Sequence, residues 1–271
     1  MFQASLGDNL FAVDPNGYEI AIPLLPNGEQ PNHFGAEAAS SEPLTSGAFT
    51  GDTRSGGSCN CETLTLTPHC NGTHTECVGH VTDERFGLAQ IPTGLVGIAA
   101  LVSIAPIAAR ECDDARSPYT SDDDRLISSG ALHDALRDTW RPGMSSVVLR
   151  TLPNTRAKRM TRYDPDRPCP YLTAAAAALL VELDVQHLLV DVPSIDRLLD
   201  GGLLLAHRIF WGLPRGSRAL TLAKRRHATV TEMIYVPDEV ADGRYFLNLQ
   251  VPRLASDAAP SRPSLHPLRP L

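Results

Sequence analysis

The amino-acid sequence predicts an α/β domain. Residues 173–183 are rich in alanine and leucine and begin with Thr173, a typical N-cap residue, so they predict a buried helix. After a short connection, residues 187–192 form an apolar run that predicts a strand. A helix that leads directly into a buried strand is typical of α/β folds and not of all-β barrels.

The remaining elements are predicted from the period of the apolar residues. Near-helical spacing predicts a second helix over residues 126–136, before a break at Pro142 and Gly143. Strands are predicted over residues 18–24, 62–67, 96–107, 146–152, 229–236 and 243–251. Residues 62–67 alternate leucine with threonine, so we expect a half-buried strand there.

The whole-chain numbers restrict the class of protein. The 271 residues can bury one large core, and we predict a single domain over residues 1–271. A net charge of -7 argues against a nucleic-acid surface, and Pro92 and Pro106 interrupt the most apolar run, so no membrane span is expected. The start of the chain has no signal-peptide pattern, and the six cysteines are irregularly spaced, as expected of reduced thiols in a cytoplasmic protein. Neither nucleic acid nor a membrane is therefore expected as a partner.

The two terminal regions show little regular pattern. Residues 1–58 contain the first strand and then a long stretch, 25–58, that is rich in Gly, Pro, Ser and Asn. A loop of this length is usually functional or disordered. We expect it to cover a pocket, with Phe34 and His33 facing a substrate; an irregular surface loop is the alternative. Residues 252–271 predict a Pro-rich tail that is frayed or packed across a neighbour.

Residues 69–80 concentrate side chains that bind metals. These twelve residues contain three of the nine histidines, two of the six cysteines and a carboxylate. Such a mixture of imidazole, thiol and carboxylate groups is typical of a transition-metal site. A buried polar loop with hydrogen-bonded histidines is the alternative, and it is the better interpretation of any single histidine but not of the whole group.

The spacing within this stretch restricts its conformation. On an extended chain His74 and Glu76 share one face, whereas Cys70 would lie about 13 Å from His74 at about 3.3 Å per residue. A turn at Asn71-Gly72 must therefore bring Cys70 back. We predict that Cys70, His74 and Glu76 bind one ion; His69 is the alternative to Cys70. Three ligands leave an open position, as in catalytic sites, and a thiolate favours Zn²⁺, with Mn²⁺ as the alternative if Cys70 does not bind.

Two further residues have the chemistry of a catalytic site. His80 follows the predicted ligands closely enough to act as a general acid or base. Glu232 is the only charged residue in the apolar segment 229–236. A carboxylate on an apolar strand face is costly unless it is paired or bound to a metal, so Glu232 is the candidate from the second half of the chain.

The residues Gly72-Thr73-His74-x-Glu76-x-x-x-His80 resemble the signature of the cyclase-like metal hydrolases, the family of bacterial kynurenine formamidase and isatin hydrolase. In that family the pattern runs His-x-Gly-Thr-His-x-Asp-x-Pro-x-His. The resemblance places its first His, second His, Asp and catalytic His at Cys70, His74, Glu76 and His80. This chain departs from the pattern by Cys for His, Glu for Asp, and Val78 for Pro.

Later segments extend the resemblance, which covers residues 62–263. Residues 190–196 resemble the family's Gly-Ile-Asp-Thr-Pro-Ser-x-Asp segment, and residues 257–263 resemble its closing Asp-Ala-Ser-Pro-Val-Arg segment. Between them the family has a His and a Glu, which fall on His207 and Glu232, with His227 as the alternative to His207. Asp191 and Asp196 carry ligand chemistry, but capping and turn roles are expected of them.

The resemblance implies a fold, a cofactor and a reaction. The fold would be the swivelling β/β/α type with a mixed sheet, in a homodimer or homotetramer. One or two ions, Zn²⁺ or otherwise Mn²⁺, would be held by the predicted ligands, with His207 and Glu232 completing the set. The reaction would be hydrolysis of an N-formyl aryl amine or a small cyclic amide by attack of metal-bound water, with His80 and Glu232 as catalytic residues. A ring-closing or dehydrating cyclase and a non-catalytic metal-binding protein are the alternatives.

Overall fold

The computed structural model of the chain describes residues 2–92, 95–166 and 168–271. The α-helices in these ranges are α1 Ser129–Leu136, α2 Ala174–Glu182 and α3 Leu205–Phe210. The strands in the same ranges are β1 Gln3–Leu6, β2 Asn9–Val13, β3 Tyr18–Glu19, β4 Asn32–His33, β5 Ser40–Pro43, β6 Thr45–Ser46, β7 Phe49–Thr50, β8 Glu62–Thr65, β9 His74–Glu76, β10 Val96–Ile104, β11 Ile107–Ala108, β12 Arg125–Ile127, β13 Ser146–Thr151, β14 Arg162–Tyr163, β15 Tyr171–Leu172, β16 His187–Val190, β17 Thr229–Glu232, β18 Gly243–Gln250, β19 Ala258–Pro260 and β20 Arg262–Pro270.

A large mixed sheet forms the centre of the molecule. Its strand order is β1-β2-β20-β18-β10-β13-β16-β17-β9-β19, and β3 pairs with β20. The central strands β10, β13, β16 and β17 are parallel, whereas β18 and β9 flank them in antiparallel pairs. Parallel neighbours require crossover connections, and α1 and α2 lie in two of them. The predicted α/β fold with a mixed sheet is confirmed.

The two faces of this sheet bury different apolar clusters. Along β13, Val147 and Leu149 join the cluster that contains Leu132 of α1 and Leu180 of α2. Val148, between them in sequence, joins the cluster on the opposite face, as the two-residue period of a strand requires. Each fully buried aliphatic side chain contributes about 1.5–3 kcal/mol, so packing on both faces holds the central strands in place.

The predicted helices are confirmed, with boundaries set by their caps. Thr173 caps α2, because its side-chain oxygen accepts a hydrogen bond of 3.0 Å from the backbone N–H of Ala176. Helix α1 begins later than predicted, because Ser128 is its N-cap and accepts from Ala131 N–H at 3.3 Å. No helix in the described ranges is long and apolar enough to cross a membrane.

The N-terminal region differs from the prediction in two ways. The hairpin of β1 and β2 precedes β3, and β3 covers only the first two of the residues predicted as the first strand, 18–24. Strand β8 was predicted to be half-buried, but all four of its residues are exposed and it pairs only with β5. Its alternating pattern is therefore that of an exposed hairpin, in which Leu64 is 57% exposed.

Residues 262–270, predicted to belong to a Pro-rich tail, form strand β20 inside the large sheet. The prediction that this tail is frayed is therefore wrong. The prolines fit there for a geometric reason. The carbonyls of Pro263 and Pro267 accept hydrogen bonds from Ile20 N–H and Asp14 N–H at 3.1 and 3.0 Å. In a strand the N–H and C=O of one residue point the same way, so both missing N–H groups lie on the side away from β18. The ladder with β18 is therefore intact.

Candidate metal centre and active-site pocket

One imidazole and two carboxylate side chains, those of His74, Glu76 and Glu232, meet where β9 and β17 pair. The two strands are antiparallel, with His74 opposite Glu232 and Glu76 opposite Val230. His74, Glu76 and Glu232 are all buried, and the two-residue spacing in β9 places His74 and Glu76 on one face, as predicted. Glu232 is the last residue of β17, and the chain then bends at Met233, which has a φ of 52°.

Glu76 lies at the centre of the group. Its Oε1 is 2.8 Å from Nε2 of His207 in α3, and its Oε2 is 2.9 Å from Nδ1 of His69. Glu232 is the second carboxylate, with its Oε2 3.4 Å from His74 Nε2 and its Oε1 3.5 Å from His207 Nε2. In the described part of the chain, every ion-pair partner of these two carboxylates is a histidine.

His69, His74 and His207 share one arrangement. In each, one ring nitrogen is hydrogen-bonded to an oxygen atom, and the second ring nitrogen faces the carboxylates of Glu76 and Glu232. His69 Nε2 is bonded to Asp257 Oδ2 at 2.7 Å, and His207 Nδ1 to Asp196 Oδ2 at 2.7 Å. His74 Nδ1 is bonded to the carbonyl oxygen of Gly72 at 3.0 Å. Such outer partners fix the tautomer of histidines that bind metals and leave the inner nitrogen free as a ligand.

Three inner atoms of this group have no hydrogen-bond partner within the described ranges. His74 Nε2, Glu76 Oε1 and His207 Nε2 are buried and unpartnered, although the last two are 2.8 Å apart. The angle between Glu76 Oε1 and His207 Nε2 does not suit a hydrogen bond. This is expected when both atoms point towards a common third atom. Buried polar atoms are rarely left unpaired.

Among three sets of ligand atoms in the described residues that lie close enough to hold an ion, two have Glu76 in common. Within each set all ligand atoms lie within 4.8 Å of one another, and these two sets are His69, His74 and Glu76, and Glu76, His207 and Glu232. Imidazole nitrogen and carboxylate oxygen suit Zn²⁺ and Mn²⁺, so these residues fit one or two divalent ions.

The electrostatics of the group favour positive charge between the carboxylates. Burial opposes ionisation of Glu76, but the neighbouring His80 and His207 hold its pKa well below the ordinary value. For Glu232, burial and the charge of Glu76 raise the pKa, yet the neighbouring His207 and His74 keep it lowered. Burial likewise opposes protonation of His207, but Glu76 and the other acids raise its pKa well above the ordinary value.

Cys70, predicted as the first ligand, lies in neither set among the described residues. Its N–H and that of Asn71 both donate to the carbonyl of Thr67, at 2.9 and 3.0 Å, so the chain turns here and adjacent side chains diverge. His69 takes the place predicted for Cys70. Burial raises the pKa of the Cys70 thiol, which keeps it neutral.

Other predicted alternatives lie away from the centre. His227 contacts the ring of Phe86 at 5.9 Å and is in neither set, whereas His207 is. The buried carboxylate of Asp191 pairs with Lys158 Nζ at 2.7 Å and accepts from Thr151. Asp196 acts through His207. This role and that of Asp257 are not apparent from the sequence, where both residues are typical of turns.

His80 stands at the rim of the centre. It belongs to the short 3₁₀ turn Val78–Val81, and its Nδ1 is 3.6 Å from Asp257 Oδ2 and 4.0 Å from Glu76 Oε2. Its side chain is 27% exposed, so it can reach a bound molecule and solvent. This is the position a proton carrier requires.

A cavity of about 420 Å³ opens over the centre. Its lining includes Glu76, His80 and Glu232 together with apolar side chains from two loops. His33 and Phe34 line it, in the place predicted for them. His33 is 2% exposed, and its ring nitrogens have no hydrogen-bond partner in the described chain. Burial lowers the pKa of His33 to about 4, so it is neutral at pH 7.

Comparisons with known proteins agree with this fold. The family model described as "Putative cyclase" matches residues 18–197, which ends before His207 and Glu232. No curated protein matches the chain.

Solved structures share the architecture over most of the chain. A "predicted metal-dependent hydrolase" from Bacillus stearothermophilus is 17% identical, with a TM-score of 0.58 over 93% of this chain and 98% of that one. A potential metal-dependent hydrolase with cyclase activity is 17% identical, with a TM-score of 0.60 over 93% and 97%. Isatin hydrolase A from Labrenzia aggregata, bound to benzyl benzoate, is 14% identical, with a TM-score of 0.59 over 93% of each chain. At these identities the likeness concerns the fold.

Proposed function

Because this chain belongs to the cyclase family, we propose that it is a metal-dependent hydrolase that cleaves a non-peptide amide C–N bond. The substrate class is an N-formyl aryl amine or a small cyclic amide. One observation carries the proposal: three histidines, each with its outer nitrogen held by an oxygen, direct their inner nitrogens at two buried carboxylates.

The ligand set is His69, His74, Glu76, His207 and Glu232, and Zn²⁺ is the proposed ion, with Mn²⁺ as the alternative. A divalent ion held there supplies Lewis acidity, which polarises a carbonyl and makes water a better nucleophile at neutral pH. Glu76 stays ionised despite its burial and is shared by both ligand sets. It therefore holds the two halves of the centre together.

His80 moves the proton in this proposal. Water adds to the carbonyl carbon, a C–O bond forms, and a ring nitrogen of His80 accepts the proton that the water loses. His80 then donates a proton to the leaving nitrogen as the C–N bond breaks, which gives an amine and a carboxylic acid, whose proton is released to solvent at neutral pH. Asp257, 3.6 Å from His80 Nδ1, positions this imidazole. A positioned proton carrier typically contributes about 10²–10⁴-fold.

The cavity supports an aromatic or similarly flat, apolar substrate. Phe34, Leu198 and Leu199 are among the residues that line it, and Phe34 is 64% exposed. His33 adds a neutral donor and acceptor whose nitrogens have no protein partner in the described ranges. Such a pocket, in which apolar side chains lie beside convergent polar groups, is typical of small-molecule sites.

A screen with isatin and formanilide tests the proposal. Protein loaded with Zn²⁺ or Mn²⁺ is expected to add one water to a substrate, seen as a mass gain or as cleavage to two products. His74→Ala is expected to lose most of the metal and all turnover, whereas His80→Ala is expected to keep the metal bound by the buried ligand set around Glu76 and to lose rate.

Ring closure is the second candidate, because the family model and two similar structures are named as cyclases or for cyclase activity. Loss of water from a substrate, instead of its addition, would favour that candidate. Stoichiometric metal without turnover across a widened panel would favour a metal-binding protein. A homodimer or homotetramer and a cytoplasmic location remain predictions, the first of which light scattering on the purified protein checks.

A further inference from the structure

A second cluster of ligand atoms lies just outside the proposed centre. His69, His80 and Asp257 each offer one atom, and the three atoms lie within 4.8 Å of one another. Asp257 Oδ2 is 2.7 Å from His69 Nε2 and 3.6 Å from His80 Nδ1. The two imidazole rings are tilted by 32° to each other, with centroids 4.3 Å apart. We call these three residues the outer cluster.

The outer cluster differs from the buried centre in its access to solvent. The side chains of His69, His80 and Asp257 are 25%, 27% and 36% exposed, whereas those of His74 and Glu232 are 0% and 4% exposed. An ion from solution can therefore reach the outer cluster without any opening of the fold.

The backbone holds the outer cluster in shape. Asp257 immediately precedes β19, which pairs with β9, and its carbonyl accepts the N–H of Cys77 at 2.9 Å. Gly79 allows the close approach of these segments, because a Cβ there would lie 1.9 Å from the carbonyl oxygen of Phe86 and 3.2 Å from Asp257 Cβ. The three ligands are thus presented by a rigid frame.

We propose that His69, His80 and Asp257 bind an additional Zn²⁺ ion, and that its binding inhibits the enzyme. Two imidazole nitrogens and a carboxylate oxygen form a set suited to Zn²⁺, with water in the remaining position. His69, a proposed ligand of the buried centre through Nδ1, would bind the outer ion through Nε2, and the proton that Nε2 donates to Asp257 would be released to solvent.

Inhibition follows from the identity of the ligands, and this part rests on the proposed function. A nitrogen of His80 that binds the ion has no lone pair left to accept a proton from water. The loss of rate at full occupancy would then approach the contribution of such a proton carrier, about 10²-fold or more. Mn²⁺ binds nitrogen ligands more weakly than Zn²⁺ does, so it is expected to fill the outer cluster only at much higher concentration.

Equilibrium dialysis against ZnCl₂ tests the site directly, without any substrate. Wild type is expected to bind one Zn²⁺ more than His80→Gln, which leaves the bond between His69 and Asp257 in place. Asp257→Asn is expected to lose the same ion. Asp83→Asn is the matched control, because Asp83 lies near His80 in sequence, is 73% exposed and pairs only loosely with Arg218 at 3.7 Å. It should bind as wild type does.

Hydrolysis rates against free Zn²⁺ then test inhibition, with isatin or formanilide as the substrate. Wild type and Asp83→Asn are expected to lose rate as Zn²⁺ rises above the amount that fills the buried centre, while added Mn²⁺ at equal concentration leaves the rate unchanged. Equal Zn²⁺ stoichiometry in wild type, His80→Gln and Asp257→Asn would overturn the outer site. If the stoichiometries differ and no substrate turns over, the outer site stands and the proposed function fails.

Discussion

Asp196→Asn is the perturbation that best separates a metal centre from a merely buried polar cluster. Asp196 Oδ2 accepts from His207 Nδ1 at 2.7 Å, and its oxygens also accept from the N–H groups of Ala206 and His207 at 2.8 and 3.1 Å. An amide at this position keeps the size of the side chain but removes the charge. His207 is then a weaker ligand, because charge-assisted hydrogen bonds are roughly twice as strong as neutral ones.

The expected loss of metal affinity is about 10–100-fold, as for other outer partners of metal-binding histidines, or about 1.4–2.8 kcal/mol. Competition with a chromophoric chelator measures it. Asp200→Asn is the matched control, because Asp200 accepts from Gly202 N–H and Leu204 N–H in the same segment and contacts no histidine there. Unchanged metal affinity in folded Asp196→Asn, or an equal loss in Asp200→Asn, would refute the reasoning.

Three further predictions concern single side chains. Cys70→Ser is expected to keep its metal whereas His69→Ala loses much of it, since only His69 belongs to a ligand set; elemental analysis decides, and the reverse order would restore Cys70 as the ligand. His33→Phe keeps the ring volume but removes both polar nitrogens, so we expect normal metal content with a raised KM or a lowered kcat, while equal kinetics would exclude substrate contact by His33. Partial burial raises the pKa of Asp124, but an ion pair and hydrogen bonds outweigh it and the pKa is lowered. Asp124→Asn should therefore lower the free energy of unfolding at pH 7, and lower it less at an acid pH below the unfolded pKa of about 3.9. Urea unfolding at pH 7 and at the acid pH checks this. An equal loss of free energy of unfolding at the two pH values would contradict it.

The local part of the candidate site was predictable because few bonds separate its members. His74 and Glu76 are two residues apart, and any extended conformation places them on one face. The direction of His69 and Cys70 was not predictable in the same way. Both precede the turn at Gly72, where φ is +84°, and the hydrogen bonds from the turn to Thr67 decide which side chain faces Glu76.

The roles of Asp196 and Asp257 as partners of histidines could not be predicted from the sequence. Asp196 and Asp257 stand in segments with turn residues, so local chemistry favours caps and turns. Asp196 does cap α3 through Ala206 N–H, and the same carboxylate also holds His207. One carboxylate can serve both purposes only because α3 begins beside it, a contact between residues that are 11 apart in sequence.

The C-terminal segment shows the same limit for the fold. Several prolines in a short stretch predict irregular structure, since each lacks an N–H for the ladder. Strand β20 nevertheless lies between β18 and β2, because Pro263 and Pro267 direct their missing donors away from β18. Which side of a strand a proline faces depends on its register with a neighbour, which its own sequence does not contain.

The sequence by itself determined the α/β class, the capped helix α2, and the pairing of imidazole with carboxylate in β9, because periodicity and short spacing act within a few residues. Only the tertiary structure decided that β9 lies between β17 and β19. That placement sets Glu232 opposite His74 and brings Asp257 to His69 and His80. The physical reason is that the antiparallel pairing of β9 with β17 joins segments more than 150 residues apart in sequence, and no local pattern encodes that contact.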